Sequence, residues 1–267
     1  MSDGQDAPAA LVARCAAAGL TVFSVTDHDT IAGWDEAAAA AQAFGLEFVP
    51  GVEVTAVLDG LDVHVLGYFP SPRAPLLESF LQAQRADRVR RVRQMTERLR
   101  SLGRPVPTEA ILEAASSDPR RTVGRPQIAD AMIAAGHVAT RDEAFAAYLG
   151  FGRPAFVPRS GVPPEQVVEL IGSAGGLASL AHPALLERDD LLPGLILAGL
   201  PALEVFHSDH DAATVARYRR LALASRLLLT GGSDFHGQAP GHRTPALGTV
   251  TLPAADYDLF RARLLAS

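Results

Sequence analysis

The sequence predicts an α/β fold interrupted by a helical segment. The first seventy or so residues alternate helix and strand. A proline-punctuated stretch then leads into helices, and from Pro163 the alternation returns. Such βα repetition favours a sheet or barrel whose strand ends carry the working residues.

Taken in order, Pro8–Ala18 reads as a helix closed by Gly19, and Leu20–Thr26 as a buried strand carrying Val22, Phe23 and Val25. Ile31–Phe44 is an alanine-rich helix ending at Gly45. Leu46–Val49 and Val52–Leu58 read as two strands separated by Pro50-Gly51, and Asp59-Gly60 as a hairpin turn into Val63–Tyr68. Pro70, Pro72 and Pro75 break this rhythm. Helices then dominate from Leu76 to about Leu149, with Leu77, Leu81, Val89, Val92, Leu99 and Leu102 keeping a helical stripe. Beyond it come helix Pro164–Ser173, strand Leu177–Ala181, helix Leu191–Ala198, strand Ala202–Phe206, helix Ala212–Ala224 and strand Leu227–Gly231. A closing strand and helix are expected within Gly248–Leu265. The expected organisation is a unit of residues 1–70 and 161–267 with residues 71–160 inserted into it.

The chain has 267 residues, 48% of them hydrophobic, and a formal charge of −6 from 30 acids and 24 bases. A chain of this length buries roughly three quarters of its unfolded surface and needs no disulfide staple. Its single cysteine, Cys15, excludes disulfide scaffolds and cysteine zinc sites and reads as a small core residue. Mild acidity argues against charge-driven binding to DNA or RNA. No signal peptide or membrane span is visible, so a soluble cytoplasmic protein without a membrane partner is expected.

The chemistry concentrates in histidines and carboxylates at strand ends. His28 lies in Thr26-Asp27-His28-Asp29, after a strand, and Glu53 follows Pro50-Gly51-Val52. His64 sits within a strand, His182 is in Ala181-His182-Pro183, and Asp234 and His236 are in Gly232-Ser233-Asp234-Phe235-His236. Asp3 precedes the first helix. One histidine alone reads as a satisfied core or surface residue. Several imidazoles and carboxylates buried together would cost several kcal/mol without a cation among them. Neutral imidazole and carboxylate are natural ligands of divalent metals, so the joint pattern predicts a multinuclear site that generates hydroxide.

These segments, together with Ser2-Asp3-Gly4, Gly124-Arg125-Pro126, Gly152-Arg153-Pro154-Ala155-Phe156-Val157 and Glu204-Val205-Phe206-His207, run in an order that resembles the PHP-domain phosphoesterases. The likeness is to the branch of nucleotide phosphatases and RNases with a helical insertion. It implies a distorted seven-stranded (β/α) barrel and two or three divalent ions, Mn²⁺ foremost, with Fe²⁺, Zn²⁺ or Mg²⁺ as alternatives. By this resemblance Asp3, His28 and His236 would hold one metal and Glu53, His64 and His182 a second. Glu53 would bridge to a third that Asp234 also ligates. The family opens with a strand ending in His-x-His shortly before Ser-Asp-Gly, and this sequence starts at Met1, after that point. The expectation is therefore a barrel short of its first strand, at most two metals well held, and impaired turnover.

Substrate contacts are expected from Arg125, at the start of a helix with Pro126 behind it, from Arg153, and from His207, which could touch the phosphate or protonate the leaving oxygen. Gln127 stands where the family usually has histidine. The run Arg85, Arg88, Arg90, Arg91, Arg93, Arg98, Arg100 reads as the solvated face of an amphipathic helix rather than an RNA track. His137, His210 and His242 read as surface or loop positions. The resemblance implies hydrolysis of a phosphomonoester, foremost the 3′-phosphate of nucleoside 3′,5′-bisphosphates, with short RNA 5′ ends as a related substrate. Alternatives are a histidinol-phosphate phosphatase, a catalytically silent nucleotide- or phosphate-binding protein, and an RNA-binding module.

Overall fold

A computed structural model describes residues 2–117, 121–237 and 246–267. His242 lies outside them. Six strands form one sheet in chain order: β1 (Val22–Val25), β2 (Glu47–Leu58), β3 (Leu61–Tyr68), β4 (Leu177–Leu180), β5 (Ala202–Phe206) and β6 (Leu228–Gly231). The pairs β1–β2, β4–β5 and β5–β6 are parallel, whereas β2–β3 and β3–β4 are antiparallel. A cavity of about 530 Å³ is lined by Val22–Val25 of one edge strand and Thr230 and Gly231 of the other, so the sheet curls until its edges face a common space. The resemblance implies seven strands; six are present among the described residues.

The expected strands 46–49 and 52–58 are one continuous β2. Val49 and Pro50 pair with β1, and from Gly51 onward the strand pairs with β3, so Pro50 sits where the partner changes. A Cβ at Gly51 would stand 2.2 Å from Ser24 Oγ, and only glycine permits that approach. At the β2–β3 turn Asp59 and Gly60 both have positive φ (53° and 80°), the conformation that an Asp-Gly hairpin turn supplies.

Helices α1 (Pro8–Ala17) and α2 (Trp34–Phe44) flank β1 and β2. The second begins three residues later than expected, because Asp29 and Thr30 are drawn into the sheet layer and fully buried. The segment α3 (Pro75–Ser101), α4 (Thr108–Ser117), α5 (Arg125–Ala134) and α6 (Arg141–Ala144) runs into a π-helical turn, Phe145–Leu149. Then follow α7 (Pro164–Ser173), the short α8 (Pro183–Leu186), α9 (Leu192–Leu197), α10 (Ala212–Ala224) and α11 (Ala254–Leu264). The closing strand expected after Gly248 is absent among the described residues. Only the helix forms there, packing Phe260 against Tyr68 at 5.2 Å.

Four apolar clusters form among the described residues, and the two largest divide the molecule. One gathers Val52, Val54, Val63, Val65, Val167, Ile171, Leu203 and Tyr218 around the sheet. The other lies wholly within residues 92–157 and includes Met95, Leu112, Ile128, Met132 and Leu149. Helix α3 serves both, with Leu77 and Leu81 in the first and Val92, Met95 and Leu99 in the second. Between those stretches Gln84, Arg85, Arg88 and Arg91 are buried. This corrects the reading of the arginine run as a solvated face: only Arg90, Arg93, Arg98 and Arg100 line the outside. Burial is tolerated because each buried head finds an acceptor. Arg88 Nε donates to Asp29 Oδ2 at 2.6 Å, Arg85 Nη1 to Asp29 O at 3.2 Å and Arg91 Nε to Val157 O at 3.1 Å. His210 is likewise a correction. The turn after His207 folds it inward, where Nδ1 meets Val205 O at 2.9 Å and the ring stacks on Tyr218. His137 lies in a loop, half-buried, with Nε2 2.8 Å from Pro105 O, and Cys15 is buried, as expected. No helix among the described residues is long and apolar enough to cross a membrane.

Candidate metal centre

Neighbouring strand ends bring the histidines and carboxylates together. An extension of β1 reaches β2 through an isolated parallel bridge between His28 and Glu53, with Asp29 N donating to Glu53 O at 2.9 Å and Glu53 N to Asp27 O at 3.1 Å. His64 lies across from Thr55 in the β2–β3 ladder, and Ala181 N donates to His64 O, which sets His182 beside it. Asp3 enters from the segment before α1. Its backbone is tied down by Ser2, whose N and Oγ both donate to Asp27 Oδ1 at 2.7 and 2.8 Å. Asp234 and His236 follow β6 and complete the rim.

Glu53 is the hub. Its Oε1 stands 2.6 Å from His64 Nδ1 and 3.3 Å from His182 Nε2, and its Oε2 3.4 Å from His28 Nδ1. On one side His28 Nε2 and His236 Nε2 flank Asp3 at 3.9 and 3.5 Å. On the other, Asp234 lies 3.8 Å from His207 Nε2 and 3.7 Å from His236 Nδ1. The structure thus gathers all seven residues expected as ligands, and His207, around one pocket. Among the described residues two sets have ligand atoms within 4.8 Å of one another: Asp3, His28, His236, and His28, Glu53, His64. His28 belongs to both. His182 joins the second through its 3.2 Å approach to His64 Nδ1.

The donor set suits a divalent first-row cation. Two imidazole nitrogens, on His64 and His182, point at each other. The Nδ1 atoms of His28 and His182 and Nε2 of His207 are buried with no hydrogen-bond partner. The rings of His28, His64, His182 and His207 follow one another edge-on at centroid spacings of 4.9, 5.2 and 5.5 Å. A cation shared by these nitrogens and carboxylates satisfies groups that are otherwise costly to bury.

Without metal the charges couple strongly. Burial favours protonation of Glu53, yet His28, His64 and His182 around it hold its carboxyl well below the usual range. Asp3 is held down in the same way by His28 and His236. Burial works against the charged form of His182 and His236. The hydrogen bond to Glu53 nevertheless lifts His182 to about 9, and that to Asp3 lifts His236 to about 10. Burial also raises Glu204 to about 7, although its Oε2 accepts His182 N at 2.7 Å. That bond anchors His182, whose backbone takes the unusual φ of 28°.

The expected substrate residues divide. Arg125 opens α5 and its Nη2 donates to Asp62 Oδ2 at 2.9 Å, two residues from His64 on β3. Arg153 is exposed and has no ion-pair partner among the described residues. His207 lines the cavity with its side chain 1% exposed. Gln127 does not reach outward: Nε2 donates to Ser2 O at 3.2 Å and Oε1 accepts Gly124 N. Sequence reasoning missed Asp62, Arg159 and the positioning contact of Glu204. Asp62 had a signal, because a residue two positions before a ligand on a strand shares its face. Arg159 had none; its Nη1 reaches Asp29 Oδ2 at 3.2 Å from a loop 130 residues away in sequence.

Residues 1–121 match the family model of the PHP domain. The chain is 35% identical over 182 residues to a 5′-3′ exoribonuclease of Haemophilus influenzae, a match spanning 68% of this chain and 65% of that relative. It is 32% identical over 247 residues to a 3′,5′-nucleoside bisphosphate phosphatase of Chromobacterium violaceum, across 91% of this chain and 86% of that one. A solved structure from Bifidobacterium adolescentis, described as a candidate metal-dependent phosphoesterase, superposes with a TM-score of 0.88 at 34% identity. It covers 100% of this chain and 95% of its own.

Proposed function

This chain belongs to the PHP-domain family of metal-dependent phosphoesterases, and from that premise we propose that it hydrolyses a phosphomonoester of a nucleotide. The favoured substrate is the 3′-phosphate of a nucleoside 3′,5′-bisphosphate, with short RNA 5′ ends next. The observation that carries this reading is the convergence of Asp3, His28, Glu53, His64, His182, Asp234 and His236 on one pocket, with Arg125 anchored two residues along β3 from His64.

In this proposal Asp3, His28 and His236 hold one ion, and Glu53, His64 and His182 a second. Glu53 and Asp234 face a third, and Mn²⁺ is the proposed metal. Bound divalent cations supply Lewis acidity at the phosphoryl oxygens and a nucleophilic water at neutral pH. The protein's own groups do the rest. Burial works against a charged His207, but the Asp234 carboxylate beside it raises its affinity for a proton, so it is equipped to donate to the leaving oxygen. The segment 71–160 is the substrate unit, bringing Arg125 and Arg153 to the second phosphate. Asp62 keeps the Arg125 guanidinium in place for a charge-assisted bond.

Purified protein with Mn²⁺ and adenosine 3′,5′-bisphosphate should release inorganic phosphate and leave adenosine 5′-monophosphate, and chelation should abolish this. Turnover of histidinol phosphate but not of the bisphosphate refutes the substrate assignment. Nucleotide binding without any metal-dependent turnover refutes the catalytic one.

A further inference from the structure

Beyond the metal pocket, the 150–156 loop holds an aromatic surface that the reaction described above does not use, beside the two arginines proposed to hold the second phosphate. The loop is tightly built. Gly150 N donates to Phe145 O at 2.9 Å, Arg153 N to Gly150 O at 3.0 Å, Ala155 N to Tyr148 O at 3.0 Å and Phe156 N to Arg153 O at 2.9 Å. On this frame Phe151 is 58% exposed, with its ring edge-on to Phe156 at 5.4 Å. Arg125 lies behind them, its guanidinium 5.5 Å from the Phe145 ring and 6.0 Å from that of Phe156. Arg153 projects from the same loop, exposed.

The location gives this shelf its meaning. Phe151 covers the β2–β3 turn, where a Cβ built on Gly60 would meet its Cε2 at 3.5 Å. Gly60, Asp62 and His64 follow one another at the two-residue period of strand β3 and its turn. At about 3.3 Å per residue, the shelf stands roughly 13 Å from the metal pocket, with the Arg125–Asp62 pair between them. A group entering along this line meets the metal pocket, then a guanidinium, then an exposed aromatic face flanked by a second guanidinium. Flat rings joined to phosphate match that order. Aromatic faces and arginine planes stack bases whatever their sequence, because every base presents a π-face.

We propose that Phe151, backed by Phe156 and flanked by Arg125 and Arg153, is a base-stacking shelf for the nucleobase of the substrate. This rests on the nucleotide reading of the metal pocket and deepens it: the enzyme selects nucleotides over other phosphomonoesters through a platform on its helical segment.

The test compares adenosine 3′,5′-bisphosphate with its abasic tetrahydrofuran analogue, using the metal-loaded full chain. The Phe151→Ala variant should raise KM for the adenosine compound roughly 5- to 150-fold, with kcat and the KM of the abasic compound moving less than twofold. Phe151→Trp should restore the preference. Equal changes on both substrates, or none on either, overturn the shelf. A chain that hydrolyses neither compound defeats the nucleotide reading by itself. The shelf is then decided by equilibrium dialysis of labelled adenosine 3′,5′-bisphosphate, where equal binding by wild type and Phe151→Ala overturns it. A second copy of the chain is the competing occupant, so a dimer that Phe151→Ala dissociates in sedimentation also overturns it.

Discussion

Glu53 concentrates the site's electrostatics in one side chain, since its two oxygens touch three imidazoles. Glu53→Gln keeps the shape and removes the charge that those rings share. Metal affinity should fall by more than the roughly 10- to 100-fold typical of losing a residue that merely supports a ligand, and turnover should fall with it. Titration of the apoprotein with Mn²⁺ measures the first, and affinity within threefold of wild type would contradict the hub. The raised imidazoles make a separate prediction. In the metal-free protein His182, lifted to about 9, and His236, lifted to about 10, hold protons at neutral pH, and an incoming cation must displace them. Metal binding should therefore release protons at pH 7.5 and tighten as pH rises toward 9. Because both folded values lie above the ordinary 6.5, their stabilisation of the apoprotein is complete below pH 6.5 and lost as pH climbs through about 9 and 10. Calorimetry in buffers of different ionisation enthalpy reads the protons directly; no release at pH 7.5 would contradict this account.

Among the elements, the junction of α3 with the sheet depends on a carboxylate with no exposure at all. Asp29 takes Arg88 and Arg159 on Oδ2 and the Thr55 amide on Oδ1 at 3.0 Å. Asp29→Ala would leave the buried Arg88 guanidinium without its counterion and Arg159 with Asp62 alone, and removing one partner of a buried pair costs about 3–5 kcal/mol. Urea unfolding should show that loss, and a change below 1 kcal/mol would mean that water compensates the arginines. This junction also marks where the sequence stops being legible. Helices Pro164–Ser173 and Ala212–Ala224 and strand Ala202–Phe206 can be read to the residue, because a proline at the first turn and the Asp211 cap are local signals. The ligand histidines are legible for a related reason: each sits in or just beyond an apolar strand, and strand ends converge. Arg88 and Arg91 are not, because on a helix the same charge pattern serves water or a distant carboxylate, and their acceptors come from Asp29 and Val157. Pro50 misleads in the opposite direction. A proline inside an apolar run suggests a break, yet β2 passes through it at the point where its partner changes.

At the scale of the whole molecule, the groups around Glu53 come from the segment before α1, from β2 and β3, and from the ends of β1, β4 and β6, spanning Asp3 to His236. A cation bound among them cross-links most of the sheet, whereas the second apolar cluster is built only from residues 92–157. Binding to the folded state alone stabilises it by about 2.7 kcal/mol at a hundredfold excess over Kd. For a chain of this size that corresponds to a rise in Tm of roughly 5–10 °C. The gain should not be uniform. Amides of β2, β3 and the residues after β4 and β6 should exchange more slowly with metal, while those of α4 and α5 keep their apoprotein rates. Their apolar cluster meets that of the sheet along α3, α5 adds only the side-chain bonds Arg125–Asp62 and Gln127–Ser2 O, and among the described residues neither helix contributes to the ion sites. Hydrogen exchange with and without Mn²⁺ resolves the two regions. Equal protection in both would mean that α3 couples the clusters into a single cooperative unit. Protection confined to the sheet would mean that metal loading and the setting of the helical shelf are independent, leaving the shelf in place before any ion arrives.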